Sequence, residues 1–538
     1  MECNKKSPIT SVQSVKSVIN TGSGMPRRRP AAAERRPNTC RSPLAARSIL
    51  LIAVNARYSH SSYSVRTLKA NLQELEKYCE IYEAEISITP FQLAAHIVEA
   101  GPTVAGFSVY LWNIRIIEAT ARILRKVAPE IKLIAGGPEL TPDYKNADLF
   151  DLCIIGEGES ALREYCNENI EKCRPGTLTR YTQRPVRTPG LQQGTIREKN
   201  LLNDSLKTDV ESGESLVIKS GPEKIKTLKL PCHLYTDEDI ANRVVYVEAS
   251  RGCPYSCTYC TSAGTGLRLI PLKKLLPELD ILWQRGVRRF KFLDRSFTAA
   301  GEHALAIMNF FLKRCEPGMC LHFEVYTDIL PENIKKMLGR FPQRFLHLEC
   351  GIQTLNPDVA ERIGRSRDID KTLWNLKFLV DETGADVHAD LIFGLPGESE
   401  KSFAAGFNKL INICNPPTVQ VNLLKALPGT ELSGKADSCK LKFNPEPPYE
   451  LLASDQMDFA TLNRIQRFAR CWELIHNRDK FNDETVKLMK LSQDVYGTFT
   501  RLAEHIYRAE GRMHRIAQAR LKALVDEFIK LTQQPNNT

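Results

Sequence analysis

Cys253, Cys257 and Cys260 fall within the eight residues CPYSCTYC, a C-x3-C-x2-C spacing. Three thiolates on one short loop can turn toward a single inorganic centre, because gaps of two and three residues let a tight turn aim each sulfur inward. A structural zinc site asks for four protein ligands. The nearest further donors, Cys232 and His233, stand about twenty residues upstream without the paired spacing of a second half-site. A [4Fe–4S] cluster held by three cysteines leaves one iron open to a substrate or cofactor. The spacing points to the cluster, with a zinc knuckle or three structural cysteines as the alternatives. Most of the other cysteines, at 79, 153, 166, 315, 350, 414 and 471, are scattered. Such thiols read as small buried apolar groups in a reducing, cytoplasmic setting.

The cysteine loop directly follows VVYVEAS, the first of six short β-branched runs. The others are VRRFKFLD, CLHFEVYT, RFLHLECGIQT, DVHADLIFGLP and TVQVNLLKALPG, with helical stretches such as PLKKLLPELDILWQRG and HALAIMNFFLKRC between them. Six consecutive βα units predict an open or partial (β/α)6 barrel over residues 241–435. Residues 436–538 carry helical periodicity and few breakers, which predicts a C-terminal α-helical domain. Arg501, Arg508, Arg512 and Arg515 lie there at offsets of 7, 11 and 14. They read as one face of a helix, solvated or phosphate-gripping. Tyr246, Tyr255, Tyr259 and Trp283 are expected in the core or as a shield around the cluster.

A second alternating series occupies residues 48–170: SILLIAVN, EIYEAEIS, TVAGFSVY, KLIAGGPE and LCIIGEG, separated by helical patterns such as IIEATARILRKV. The expectation is an α/β, doubly wound, flavodoxin-like parallel sheet. Ligands bind such sheets outside the carboxyl ends of the strands. Here those ends are rich in Gly, Asn and Ser: Asn55, Ser108, Gly136-Gly137 and Gly156-Glu157-Gly158. Residues 171–240 lose the rhythm in Pro/Gly/charge-rich stretches and read as a linker.

The net charge is +11, of which residues 1–48 carry +8 through ten Lys/Arg against Glu2 and Glu34. Residues 1–47 are predicted to be a disordered basic tail. An upstream extension before a start at Met25, an Arg-rich import peptide and a nucleic-acid-binding arm compete to explain it. Residues 49–450 have no net charge, so the body is not built around a duplex-binding footprint. The longest apolar run, ILLIAV at 49–54, is far short of the ~18 residues of a membrane span. With 42% hydrophobic and 25% charged residues, a largely disordered chain is excluded as well.

CPYSCTYC after a strand, with a (βα)6 pattern behind it, resembles the radical SAM enzymes. LECGIQT (348–354) and HADLIFGLPGE (388–398) are similar to the ends of the fourth and fifth strands of that family. The resemblance implies a [4Fe–4S] cluster whose open iron binds S-adenosylmethionine, and a 5′-deoxyadenosyl radical that takes hydrogen from a substrate. It also implies adenosylmethionine contacts at Gln353, Asp390, Gly394, Gly397 and Glu398. The Gly-Gly-Glu that often ends the second strand is replaced by Leu293-Asp294-Arg295, leaving Asp294 as the residue for the methionyl ammonium. VNARYSH (54–60), GFSVYLWN (106–113), AGGPE (135–139) and GEGES (156–160) are similar to the cobalamin-binding domain of B12-type radical SAM proteins. With LDRSF, FEVYTD and LKALPGT they resemble an uncharacterised branch of that group. The resemblance places cobalamin against Asn55, Ser108, Gly136, Gly137, Gly156, Glu157 and Gly158. The Asp-x-His-x-x-Gly loop of many such domains is missing from Asn55–Ser62, so His60 is expected to be a polar loop residue and not a cobalt ligand. The domain could also be a B12-like fold without its cofactor.

The expected activity is radical methylation, or a related radical transformation, fed by an electron donor such as a flavodoxin or ferredoxin and involving no membrane. One rival is an RNA-modifying methylthiotransferase, which needs a second cluster from Cys79, Cys153 and Cys166. The other is a non-enzymatic cobalamin or cluster sensor.

Overall fold

The computed structural model describes residues 48–170, 197–200, 216–478 and 480–533; the basic segment 1–47 lies outside them. The first sheet starts with β1 (Ile49–Asn55), in which every residue but Asn55 is buried, so ILLIAV is a strand covered on both faces. It continues through α1 (Tyr63–Ala70), β2 (Cys79–Glu85), α2 (Pro90–Ala100), β3 (Val104–Ser108), α3 (Ile114–Val127), β4 (Lys132–Gly136), β5 (Leu152–Ile155) and α4 (Glu159–Ile170). Local sequence sets the bounds of α2. Thr89 and Gln92 form a reciprocal capping box, Pro90 fills a first-turn position that needs no N–H, and Gly101 closes the helix at φ +59°. α3 buries Ile114, Ile117, Ala121 and Leu124 at helical spacing.

β6 (Arg197–Asn200) and β7 (Leu216–Lys219) complete a wholly parallel sheet of order β2-β1-β3-β4-β5-β7-β6. This corrects the expectation that 171–240 only links two domains, since two four-residue strands of it extend the sheet beyond β5. LVIK (216–219) buries Leu216, Val217 and Ile218, an apolar run masked in the sequence by the breakers around it. The remainder of that segment up to 215 lies outside the described residues. The order 2-1-3 puts the topological switch point between β1 and β3, where Asn55 and Ser108 stand.

α5 (Asp237–Asn242) leads into β8 (Val245–Val247) and the hairpin of β9 (Ser250–Arg251) with β10 (Arg268–Leu269). There follow α6 (Leu272–Gln284), β11 (Arg289–Phe292), α7 (Glu302–Leu312), β12 (Cys320–Val325), α8 (Glu332–Leu338) and β13 (Leu346–Gln353). α9 (Pro357–Arg362), α10 (Ile369–Asp381), β14 (Asp386–Phe393), α11 (Glu400–Ile413) and β15 (Thr418–Leu423) complete the series. The strands lie in the order β8-β11-β12-β13-β14-β15, all parallel. This is the six-stranded partial barrel, with β8 and β15 as its two edges.

The C-terminal helices expected beyond the barrel are present, and they share their core with it. After α12 (Glu431–Gly434), a small antiparallel pair joins Lys442–Phe443 to Leu451–Ala453. The helices α13 (Phe459–Ile475), α14 (Asn482–Lys490), α15 (Val495–Glu510) and α16 (Gln518–Gln533) then share one continuous apolar core with the barrel. Phe407 of α11 meets Phe468 and Trp472 of α13 edge-on at 4.9 and 4.8 Å. Asn477 acts as a strand partner for the exposed edge of β15, donating to Val419 O (2.8 Å) and accepting Val419 N–H (3.1 Å). The Arg stripe is broken: α15 stops at Gly511 (φ +64°), so Arg512 and Arg515 leave the helix that carries Arg501 and Arg508.

Candidate metal and cofactor centre

The three cysteines stand on the loop inside the β9–β10 hairpin. Gly252 opens it at φ +84°, where a Cβ would run into Gly266 O. The loop is pinned at one residue between Cys257 and Cys260: Thr258 N–H donates to Ile363 O (3.1 Å), and Thr258 O accepts from Leu432 N–H (2.9 Å). Cys253 and Cys257 are buried and Cys260 half-buried. Burial raises the pKa of Cys253 and Cys257, opposed in part by the Tyr255 backbone at Cys253 and by Arg365 and Tyr259 at Cys257. Cys260 Sγ also accepts from Ser262 N–H at 3.4 Å. Tyr255 stacks on Tyr326 at 3.7 Å beside the loop, and the Arg365 guanidinium lies 4.2 Å above Tyr326. Arg365 then reaches Asp328 (3.1 Å) and Gly351 O (2.7 Å), tying the loop to the upper barrel. Of the other aromatics expected in the core or around the cluster, Tyr259 is beside Cys257, and Trp283 is buried in the apolar core under Arg288.

Below this loop the barrel lumen is polar. Lys291 from β11, His322 and Glu324 from β12, His347 and Glu349 from β13, and His388 and Asp390 from β14 alternate with buried apolar residues on their strands. His322 Nε2 donates to Glu349 (2.8 Å), and Lys291 stands 3.6 Å from the same carboxylate. The His322 hydrogen bond and the Lys291 charge hold Glu349 down to about 2. Glu324 has one ion pair among the described residues, with Arg295 at 3.7 Å, and burial pushes it up to about 7. His388 Nε2 lies 2.9 Å from Asp390 Oδ1, with neither atom in an aligned hydrogen bond. Burial raises Asp390, and His388 opposes that rise only in part.

Several expected adenosylmethionine contacts are engaged elsewhere. Asp294 is 1% exposed; its oxygens accept from Ser250 Oγ (2.5 Å) and Ala249 N–H (2.9 Å), and burial pushes it up to about 6. It braces the ends of β8 and β11 and is not an open carboxylate awaiting an ammonium. Gly394 (φ +84°) and Gly397 (φ +77°) are required by the protein itself. A Cβ at Gly394 would come within 2.5 Å of Leu451, and one at Gly397 would strike the Arg362 guanidinium. Glu398 is buried beneath this turn, accepts from Thr354 Oγ1 (2.6 Å), and is pushed up to about 8 by burial. Gln353, at φ +69°, folds its amide back over Gly351 at the top of the lumen.

On the first sheet, Gly137 and Gly156 are likewise dictated by backbone. A Cβ at Gly137 (φ +135°) would enter Val109 O, and one at Gly156 (φ +98°) would lie 2.5 Å from Ser220 O. Gly136 and Gly158 meet only ordinary contacts, Gly158 at 3.4 Å from Leu68. Asn55 donates to His60 O and Glu83 Oε1, both at 3.0 Å, and Ser108 Oγ lies 2.9 Å from Ser64 Oγ. Glu157 is committed to the barrel: with Glu159 it grips Arg251 at 2.9 and 2.6 Å, and it also pairs with Arg268. Arg251 sits two residues before Cys253, so the GEGES turn anchors the cysteine loop.

Residues 49–165 match the family described as the B12 binding domain, and residues 247–409 match the Radical SAM superfamily. The chain is a radical SAM protein with an N-terminal B12-binding domain. It is 25% identical over 357 residues to 2-(S-pantetheinyl)-carbapenam-3-carboxylate methyltransferase of Streptantibioticus cattleyicolor, covering 64% of this chain and 49% of that one. It is 24% identical over 394 residues to the cobalamin-dependent radical SAM methyltransferase TokK of Streptomyces tokunonensis, covering 69% and 53%. The chain thus spans about half the length of these two relatives. Its fold is similar to that of the cobalamin-dependent S-adenosylmethionine radical enzyme OxsB, with a TM-score of 0.56 at 14% identity, covering 90% of this chain and 79% of that one.

The residues present fit both groups that such a radical SAM protein holds. Three cysteine thiols on one pinned loop are the donor set of a cluster, although among the described residues no group of three such donors is gathered closely enough for a metal ion. At the switch point of the first sheet, Trp112 is 48% exposed and stacked on Tyr110 at 4.5 Å, an apolar platform beside small strand ends that suits a broad flat ligand. His60 is turned away from that edge toward the Tyr246 hydroxyl of the barrel. Among the described residues the second cluster of the methylthiotransferase alternative has no support, because Cys79 and Cys166 lie in the apolar layer on one face of the sheet and Cys153 in the layer on the other. The sequence reading missed Lys291, His322, Glu324, His347, Glu349 and His388 as lumen residues. The signal was present as strict apolar–polar alternation in parallel strands, which are normally apolar on both faces.

Proposed function

We propose that this chain is a cobalamin-dependent radical SAM methyltransferase acting on a substrate held in the barrel lumen. The observation that carries the reading is that the carboxyl edge of the first sheet closes the open seam of the barrel from both sides. On the β8 side, Ser59 O accepts from Val244 N–H (3.0 Å), His60 meets Tyr246, and Glu157 and Glu159 hold Arg251. On the β15 side, Tyr449 Oη donates to Glu139 (3.2 Å) and Arg115 donates to Pro447 O (3.0 Å). All the first-sheet residues in these contacts follow carboxyl strand ends, so the edge suited to cobalamin runs along the open seam of the barrel that carries the cysteine loop.

When bound, the cluster with adenosylmethionine supplies a hydrogen-abstracting radical and cobalamin supplies the methyl group. Cys253, Cys257 and Cys260 hold the cluster; Tyr255, Tyr326 and Arg365 cover it and limit water. Glu324 and Asp390, the lumen carboxyls with fewest partners, orient a polar substrate. Glu349, locked by His322 and Lys291, stays ionised beside them. The electron comes from a small reduced carrier of the flavodoxin or ferredoxin kind, and such an oxygen-sensitive centre belongs in the reducing cytoplasm. Among the described residues no helix is long and apolar enough to cross a membrane.

Protein purified without oxygen is expected to carry about four irons per chain and to retain cobalamin when grown with an excess of it. Cys253→Ala, Cys257→Ala and Cys260→Ala are each expected to lose the iron and all reductive cleavage of adenosylmethionine. Cys350→Ala, deep in the apolar shell, is expected to keep its iron. One equivalent of zinc with no iron after reconstitution would sink the enzyme reading. Wild-type protein that retains no cobalamin would remove methyl transfer from it.

A further inference from the structure

At the amino ends of β8 and β11, opposite the cysteine loop, lies a cavity of about 600 Å³ closed on one side by Ser59 of the first sheet. Its lining carries four guanidinium groups, from Arg243, Arg285, Arg288 and Arg289, against the single carboxylate of Asp237. Three of the four are tied to the protein. Arg243 pairs with Glu83 (3.1 Å) and Asp239 (3.3 Å), Arg285 with Asp237 (3.0 Å), and Arg288 with Glu316 (2.9 Å) over the Trp283 ring. Arg289 alone is exposed and has no ion pair or side-chain hydrogen bond among the described residues. Gly286 (φ +94°) and Gly318 (φ +86°) present bare backbone to the cavity, with nothing within 4 Å of where a Cβ would stand.

Ion pairs offset the charges of Arg243, Arg285 and Arg288, so the concave wall is locally positive at Arg289, where its shape focuses the field on whatever enters. A free guanidinium offers a planar fork of donors matched to two oxygens of one anion. Arg289 is also the lowest rung of a ladder that leads into the chamber: it lies two residues before Lys291 on β11, and the intervening Phe290 faces the buried shell. Polarity therefore changes along the lumen, from guanidinium groups at its floor by β11 to the carboxyls Glu324 and Asp390 higher on β12 and β14.

We infer that this cavity binds an oxyanion of the substrate, a phosphate or carboxylate group gripped by Arg289, with the rest of the molecule extending up the lumen toward the cysteine loop. The inference rests on the reading of the lumen as the reaction chamber. It makes the substrate an anionic small molecule whose reacting carbon lies some way from its charged end.

Calorimetric titration of the full-length, anaerobically purified protein tests this with two probes at fixed ionic strength, inorganic pyrophosphate and succinate. One saturable site is expected for at least one of them, pyrophosphate identifying a phosphate source and succinate a carboxylate source. Arg289→Ala is expected to weaken that site about tenfold or more, with Arg289→Lys intermediate. Arg508→Ala, an equally basic change on the exposed face of α15, is expected to leave it unchanged. Because Arg289 is exposed and unpaired, its variants should unfold at the wild-type temperature. No saturable binding of either probe, or binding that Arg289→Ala alters by less than twofold, overturns the inference. Iron and cobalamin contents of the same samples report separately on the reaction: full loading without anion binding removes only this cavity, whereas anion binding without either cofactor removes the chamber chemistry.

Discussion

The two parallel sheets of this chain share the same βα connection but treat their faces oppositely. Along β1, Leu50, Ile52 and Val54 enter one apolar layer and Ile49, Leu51 and Ala53 the other. Helices cover both sides and no face is left for chemistry, so the first sheet can offer a ligand only its strand ends. Along β13 and β14 the outward residues Leu348, Cys350, Val387 and Ala389 are buried under helices, while the inward ones are His347, Glu349, His388 and Asp390. Curling into an open barrel gives the second sheet an inner face that can stay wet. The lesson is that a parallel sheet can keep charges on one face when curvature opens a lumen there.

The largest effect expected from breaking this comparison is a charge placed inside the first sheet. Ile52→Asp puts a carboxylate at a position with 0% exposure and should cost on the order of 4–5 kcal/mol, read as loss of soluble, cooperatively unfolding protein. A soluble, stable variant would mean that this sheet also has a wet face. The next effect concerns strand ends. Gly137→Ala must push its Cβ into Val109 O at φ +135° and should cost about 2–3 kcal/mol in denaturant unfolding, whether or not cobalamin is present.

The wet face can be examined with two isosteric changes whose pH dependences have opposite signs. Glu349 is held at about 2 in the folded chain, below its ordinary value. Its ionised form therefore stabilises the fold above the ordinary carboxyl range, and that contribution disappears as pH falls toward 2. Glu324, raised to about 7 by burial, binds its proton more tightly when folded, so its contribution is lost as pH rises from the ordinary range through 7. Glu349→Gln is expected to lower the unfolding temperature at pH 7 by about 2–4 °C and to converge with wild type at acid pH. Glu324→Gln is expected to gain relative to wild type between pH 5 and 8. Slopes of the same sign would show that the two carboxyls do not share the environment described. The smallest effect is expected from Gly158→Ala, whose Cβ meets Leu68 at an ordinary 3.4 Å. Stability should stay within about 0.5 kcal/mol of wild type, so any loss of cobalamin in this variant reports on the ligand edge and not on folding.

The alternation of strand and helix, the six-stranded barrel and the cysteine loop are legible in the amino-acid order. Each rests on interactions between residues near in sequence: periodic apolar faces, caps such as Thr89 with Gln92, and thiols separated by two and three residues. The strand LVIK and the lumen set were present but obscured, the first by flanking breakers and the second by the habit of parallel strands to be apolar on both faces. What local order could not fix were contacts across hundreds of residues. Only the folded chain shows that Glu157 serves Arg251, that Asp294 is absorbed by Ser250 and Ala249, or that Arg362 and Leu451 already fill the space over the Gly394–Gly397 turn. A motif specifies which chemical groups and backbone shapes are available. Which of them remain free for a ligand depends on the partners that packing brings, and those partners are chosen by the closure of the tertiary structure.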